Sequence, residues 1–217
     1  MTCAPPGGRL SLGLNLAESF AMTVAVRHPT LVDLLWPSET RTFARAVLLA
    51  VVGSGLLWAS AKAQVPMWPV PMTMQSCVIL FIGFAYGARL GVATVALYLF
   101  QGAMGLPVFA GTPEKGIGLA YMLGTTGGFL VGFLLVAALL GHLAERGWGR
   151  TLAGTAAAMS IGSVVLFVPG VAWLATFVGF EKAIAFGLMP FLAGAVVKAA
   201  LATALVAAAR RMTVTGR

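Results

Sequence analysis

From Arg45 to Arg210 the chain is divided by its charges into long neutral stretches. Residues 46–61 lie between Arg45 and Lys62, 63–88 between Lys62 and Arg89, and 90–113 between Arg89 and Glu114. Residues 116–144 and 151–180 follow, and Lys198 alone interrupts 183–209. A helix needs about 20 apolar residues to cross the hydrocarbon of a bilayer. The composition agrees: 59% of the 217 residues are hydrophobic and 9% are charged, where a soluble domain carries about a quarter. A chain of this size cannot hide that much apolar surface from water. It reads as an integral membrane protein, which disfavours a soluble enzyme, a disordered regulator and a secreted disulfide scaffold.

Setting aside the Gly- and Pro-rich pieces leaves six candidate spans, near 43–62, 72–87, 88–104, 124–144, 152–177 and 189–210. The second and third nearly touch at Gly87, which fits a tight helical hairpin. The expected fold is all-α and polytopic, with six transmembrane helices and a glycine-rich outer loop folded over the bundle. Residues 1–40, with Pro5, Pro6, Gly7, Gly8, Pro29 and Pro37, read as a loose cytoplasmic tail with room for a short interfacial helix. The membrane domain is expected over 41–212, with 213–217 as a second cytoplasmic tail. The first 40 residues show no long apolar run followed by a small-residue cleavage site.

The net charge of +8 would suggest nucleic acid in a soluble protein. Here it follows the positive-inside bias of membrane loops, and no basic cluster interleaved with aromatics is present. Six spans put both termini on one side, shared with Arg27, Arg41, Arg45, Arg89, Arg146, Arg150, Arg210 and Arg211. The other side holds Lys62, Lys115 and Lys182, so the arginine side is expected to be cytoplasmic. Cys3, Cys77, His28 and His142 are too scattered for a disulfide framework or a metal site. Gly111 to Gly116 has Walker-like glycine spacing, but Ile117 and Gly118 stand where Lys and Ser/Thr are required, so no phosphate cradle is implied. No Asp or Glu lies in a candidate span, which argues against proton coupling and against intramembrane acid catalysis.

Two connections do not read as ordinary loops. Residues 66–71 carry Pro66, Pro69 and Pro71, which forbid a helix and favour extended backbone. Thr73 and Gln75 follow at the mouth of the second span, either as a polar helix start or as groups held toward a cavity. Residues 102–128 are glycine-rich yet apolar, with Leu106, Val108, Phe109, Leu119 and Tyr121. Such a segment should fold back over the bundle, since irregular backbone at that depth survives only when buried or lining a cavity.

Lys198 lies seven residues past Phe191, about 10 Å into the sixth span. A lysine at that depth costs a few kcal/mol. It either snorkels to the outer interface or faces the bundle interior, and no carboxylate in the spans is available to pair with it. An anionic group brought from outside would suit the second placement. Trp68, Tyr98, Phe109, Tyr121, Phe129 and Trp173 supply aromatic surface for a small, partly apolar molecule, or else serve as interface anchors and core.

The strings VPMTMQ (70–75), YLFQGAMGLPVFAG (98–111), GTTGGFLVGF (124–133), PGVAWL (169–174) and PFLAGAVVKAALA (190–202) resemble the biotin-specific S component of energy-coupling-factor transporters. The resemblance covers about 45–210. It implies a membrane subunit that captures biotin from outside and works with a transmembrane coupling protein and two ABC-type ATPases that hydrolyse the ATP. It implies no cofactor and no enzymatic activity of the chain's own. A solitary facilitator for biotin or another small anionic vitamin is the alternative, and a ligand-free membrane scaffold is a third class. The implied ligand contacts are Thr73, Gln75, Tyr98, Phe109, Tyr121, Thr126, Trp173 and Lys198. Ala46 and Ala50 resemble the small-residue face that docks the coupling protein, with packing inside the bundle as the plainer role. The chain departs from the family pattern at Thr125, where Pro is frequent, at Phe129, where Tyr is frequent, and at Ala195, where Asp is frequent. Gln75, Thr73 and Thr126 are the expected substitutes for that Asp.

Overall fold

In the computed structural model, residues 28–36 and 43–215 are described. Among the described residues, five helices are long and apolar enough to cross a membrane. These are α2 (Phe43–Lys62), α3 (Gln75–Ala103), α5 (Gly127–Glu145), α6 (Leu152–Val178) and α8 (Met189–Thr215). The described residues also form three short helices, α1 (Leu31–Leu35), α4 (Gly118–Met122) and α7 (Phe180–Gly187), and a 3-10 turn at Trp148–Arg150. Six spans are expected from the sequence and five long helices are seen among the described residues, so the expected count is not reproduced. The second and third spans are the two arms of α3, which breaks at Gly87 (φ 80°, ψ 172°).

That backbone conformation is open to glycine and closed to other residues. The chain reverses there. A Cβ on Gly91 would lie 3.3 Å from the Cα of Gly83, whereas eight residues of straight helix would separate the two by about 12 Å. The arms are too short to cross the hydrocarbon as separate straight helices: 75–86 and 88–103 rise about 18 and 24 Å, against about 30 Å. Glu145, the last residue of α5, closes the turn. Its Oε1 accepts from the Ala88 N–H at 3.1 Å, placing a carboxylate at the positive start of the second arm.

α3 and α5 form the centre of the bundle and are the most buried of the long helices. Their contact is made by small residues. A Cβ on Gly83 would come within 3.0 Å of the Ala137 Cα, and one on Gly141 would overlap the backbone of Ala88. Lipid tails are as apolar as leucine, so helices in a bilayer gain by close approach rather than by hiding from water. α2, α6 and α8 surround this pair and expose Val51, Val52, Leu56, Val164, Val168, Val196 and Val197, which is the outward face of a bundle solvated by lipid.

The chain is not purely helical. Gln64–Val65 (β1) and Met72–Thr73 (β2) pair antiparallel, with Gln64 opposite Thr73. The three prolines between them keep the connection out of helix, as the sequence implies. The glycine-rich segment does fold onto the bundle, burying Val108, Phe109, Ala110 and Tyr121. Leu106 and Leu119, expected to be buried with them, are exposed, because only one side of the segment meets the helices.

At the other end of the bundle, residues 28–36 are packed rather than loose. Thr30 and Leu31 are buried, and the His28 N–H donates to the Glu145 carbonyl at 2.9 Å. The remainder of the expected 1–40 tail, including any interfacial helix before residue 28, lies outside the described residues. α8 continues to Thr215, so the expected start of a C-terminal tail at 213 is still helical.

Gly141→Ala should lower the thermal midpoint of the detergent-solubilised protein, by about 1–3 kcal/mol of overpacking, because the added methyl meets backbone that cannot rotate away. Gly55→Ala, with nothing within 4 Å of its Cβ position, should leave the midpoint unchanged or raise it slightly. Equal melting of the two variants would show that the α3–α5 approach is not what holds the bundle.

Candidate functional site

On α8, Phe191, Ala195, Lys198 and Ala202 follow one another at spacings of four, three and four, and so share one face of the helix. That face turns inward: Lys198 is 8% exposed, whereas Val197 beside it is 66% exposed. The lysine does not snorkel. Its Nζ donates to the Thr73 carbonyl at 2.6 Å, an oxygen that the β1–β2 ribbon carries to this depth. Phe191, Ala195 and Lys198 line a partly open cavity of about 80 Å³. By the same measure one water needs about 10–15 Å³, so this is a chamber rather than a packing defect.

Each wall comes from a different element. The ribbon and the first turn of α3 contribute Val70, Pro71, Thr73, Gln75 and Ser76. The glycine-rich segment contributes Ala110 and Tyr121, and the start of α5 contributes Thr126, Phe129, Leu130 and Phe133. α6 adds Ser163, Leu166 and Phe167. The lining therefore combines one cation, several neutral hydrogen-bonding groups and a majority of apolar surface, with no carboxylate. Burial pushes the Tyr121 hydroxyl above its ordinary range while the Thr126 hydroxyl draws it back, so at neutral pH it stays a protonated phenol able to donate.

Behind this lining is a second layer that holds it. The Gln75 Nε2 donates to the Tyr98 hydroxyl at 2.7 Å, and that hydroxyl donates to the Val108 carbonyl at 3.0 Å. One tyrosine thus ties both arms of α3 to the segment above them and orients the Gln75 amide. Phe109 stands edge-on to Tyr98 at 5.5 Å and stacks on Tyr121 at 4.9 Å. It fits because position 102 is glycine, where any Cβ would overlap its ring. Outside the chamber, the Trp173 Nε1 donates to the Gly124 carbonyl at 2.9 Å; its ring covers Gly127 and its Cβ packs at Gly128.

Of the eight residues expected to contact a ligand, Thr73, Gln75, Tyr121, Thr126 and Lys198 line the chamber. Tyr98, Phe109 and Trp173 do not; they brace it. Phe191 was within reach of a helical count back from Lys198. Ser163 gave no sequence signal beyond being polar in an apolar stretch, since its hydroxyl bonds back to the Met159 carbonyl at 2.9 Å, as any helical serine can. Of the two small residues proposed for docking, Ala46 is exposed and Ala50 is buried inside the bundle.

Fold and site together define a multi-pass helical membrane protein with a mostly apolar chamber lined by one buried cation, Lys198. Comparison with known proteins narrows this. Residues 28–214 match the family model described as the BioY family, and the chain belongs to that family. It is 41% identical over 178 residues to the biotin transporter BioY of Rhizobium etli, covering 77% of this chain and 91% of that one. It is 36% identical over 159 residues to the probable biotin transporter BioY of Pyrococcus horikoshii, covering 73% and 92%. It is 33% identical over 164 residues to the one from Rickettsia prowazekii, covering 74% and 80%. The crystal structure of the S-component for biotin from an ECF-type ABC transporter superposes with a TM-score of 0.66 at 21% identity, covering 80% of this chain and 95% of that one. At that identity the likeness establishes the shared fold.

Tyr98→Phe should leave the Gln75 amide and the Val108 carbonyl short of a buried partner. The expected cost is about 1–3 kcal/mol, read as a lower thermal midpoint of the ligand-free protein. An unchanged midpoint would show that the hydroxyl does not support the chamber wall.

Proposed function

We propose that this chain is a membrane subunit that binds biotin in the chamber and takes part in its uptake. The names of its relatives support the ligand, and one observation in the chain itself carries the mechanism. Lys198 is a buried cation whose hydrogen-bond partner is a backbone carbonyl, in a lining that holds no acid. A buried ammonium without a counter-charge is costly. An incoming carboxylate supplies that charge in a low-dielectric site, where the pairing is strong. Biotin offers a carboxylate on an aliphatic chain and a polar ureido ring fused to an apolar thioether ring, which suits one cation, neutral polar groups and aromatic walls. Ala195 lines the chamber next to Lys198, so no acid at that position competes for the ammonium. The ureido group then falls to neutral side chains, with Gln75, Thr126 and Ser163 in reach of the space.

The same reading extends to setting and partners. Arg45, Arg89, Arg146, Arg150, Arg210 and Arg211 gather at the Gly87 end of the bundle, and Lys62, Lys115 and Lys182 at the other. The positive-inside rule makes the arginine end cytoplasmic in the inner or plasma membrane, with the chamber roof facing out. The failed phosphate motif leaves ATP hydrolysis to partner subunits, two ABC-type ATPases joined through a transmembrane coupling protein. α2 is the proposed docking helix, with Ala46 at its surface; Ala50 faces inward and serves packing.

Titration calorimetry of the purified protein with biotin should give saturable binding near one to one. Lys198→Ala should weaken it by about 10- to 100-fold, as loss of a charge-assisted hydrogen bond does, while melting remains cooperative. Wild-type affinity in the folded variant would remove Lys198 from the mechanism. A folded wild type that ignores biotin but binds another anionic vitamin would replace the ligand.

A further inference from the structure

Lys62, the last residue of α2, does not take part in the chamber lining, yet its ammonium is fully engaged. Its Nζ donates to the Phe109 carbonyl at 3.3 Å, the Thr112 carbonyl at 3.1 Å and the Thr112 hydroxyl at 3.2 Å. All three acceptors belong to one four-residue piece of the segment that roofs the chamber. Within it Ala110 is chamber wall, and the Phe109 ring backs the Tyr121 wall at 4.9 Å. Thr112 is buried and donates in turn to the Phe109 carbonyl at 2.7 Å, which holds the piece in the shape that presents three oxygens to one cation. The bonds are neutral-acceptor bonds from an exposed side chain, strong enough to bias a closed roof and weak enough to open.

The roof and the chamber cation are also mechanically joined. Two residues after Lys62, Gln64 pairs with Thr73 across the ribbon, and the Met74 N–H donates to the Ala63 carbonyl at 3.0 Å. Thr73 is the residue whose carbonyl receives Lys198.

We infer that Lys62 is the latch of the chamber roof, a positioning residue that controls how fast solute enters and leaves rather than how tightly it is held. The inference rests on the chamber being the biotin site. Lys62 reaches only roof backbone and Thr112, so it stabilises the closed protein equally with and without solute. A contact that does not distinguish the two states cannot shift the equilibrium between them. Breaking it lowers the barrier to exchange in both directions.

Stopped-flow binding of biotin to the full chain in detergent tests this with Lys62→Met, Lys62→Arg and Thr112→Val. Lys62→Met should raise association and dissociation rate constants together by about tenfold, with the dissociation constant within about threefold of wild type. Lys62→Arg, whose guanidinium can still reach the same oxygens, should restore most of the wild-type rates, and Thr112→Val should fall between. Dissociation unchanged in Lys62→Met, or faster dissociation with unchanged association, would overturn the latch. Amide hydrogen exchange of the ligand-free proteins gives a reading that needs no biotin. Lys62→Met should exchange faster over 106–116 and not over α5, and equal exchange over 106–116 would also overturn the proposal. If the wild type fails to bind biotin, the assigned ligand falls while the exchange measurement still decides the latch.

Discussion

A bilayer offers no water to backbone that has left a helix, so every carbonyl in the two irregular segments must find a donor within the protein or at its surface. Much of the architecture follows from how side chains meet this demand. Lys198 takes the Thr73 carbonyl, Tyr98 takes Val108, and Lys62 takes Phe109 and Thr112. Trp173 takes Gly124, and Thr125 takes Pro69 at 3.3 Å. Each donor comes from a different place in the chain, and each carbonyl lies in the ribbon or the glycine-rich segment. These bonds hold the roof and walls over the bundle, and the chamber is the space they enclose.

The chamber in turn depends on how closely the central helices approach. Gly87 lets α3 double back, Gly83 and Gly141 bring α5 against it, and Glu145 completes the turn. The doubled helix places Gln75 and Tyr98, 23 residues apart, within one hydrogen bond. Without that reversal the tyrosine hydroxyl could not reach both the chamber wall and the roof. The packing that stabilises the membrane domain is thus the same packing that sets the polar side of the site.

Much of this was legible beforehand, for identifiable reasons. The spans could be read because charge is expelled from hydrocarbon, and so the limits of α2, α5, α6 and α8 fall near the charges or glycines that bound them. The hairpin at Gly87 could be read because two short apolar stretches met at a residue that can reverse the chain. Lys198 stood out because a lone cation deep in a neutral stretch is costly. The roles of Tyr98, Phe109 and Trp173 were not legible in the same way: an aromatic in a membrane helix has the same local sequence whether it faces lipid, a neighbour or a ligand.

Residence in a membrane, the approximate course of the helices and the family resemblance can all be read from residue order alone. Those follow from residue types and their order, because transfer from water to hydrocarbon depends on composition along the chain. Which face of each helix lines the chamber, that Leu106 and Leu119 lie outside while Phe109 lies inside, and that Lys62 bonds to the Phe109 and Thr112 carbonyls emerge from the packed chain. In a soluble helix an apolar stripe marks the inward face. Here lipid and core are both apolar, so the pattern carries little sign of inside and outside. The rotation of each helix is instead set by where small residues permit contact and where scattered donors meet irregular backbone, and both are properties of the assembled fold.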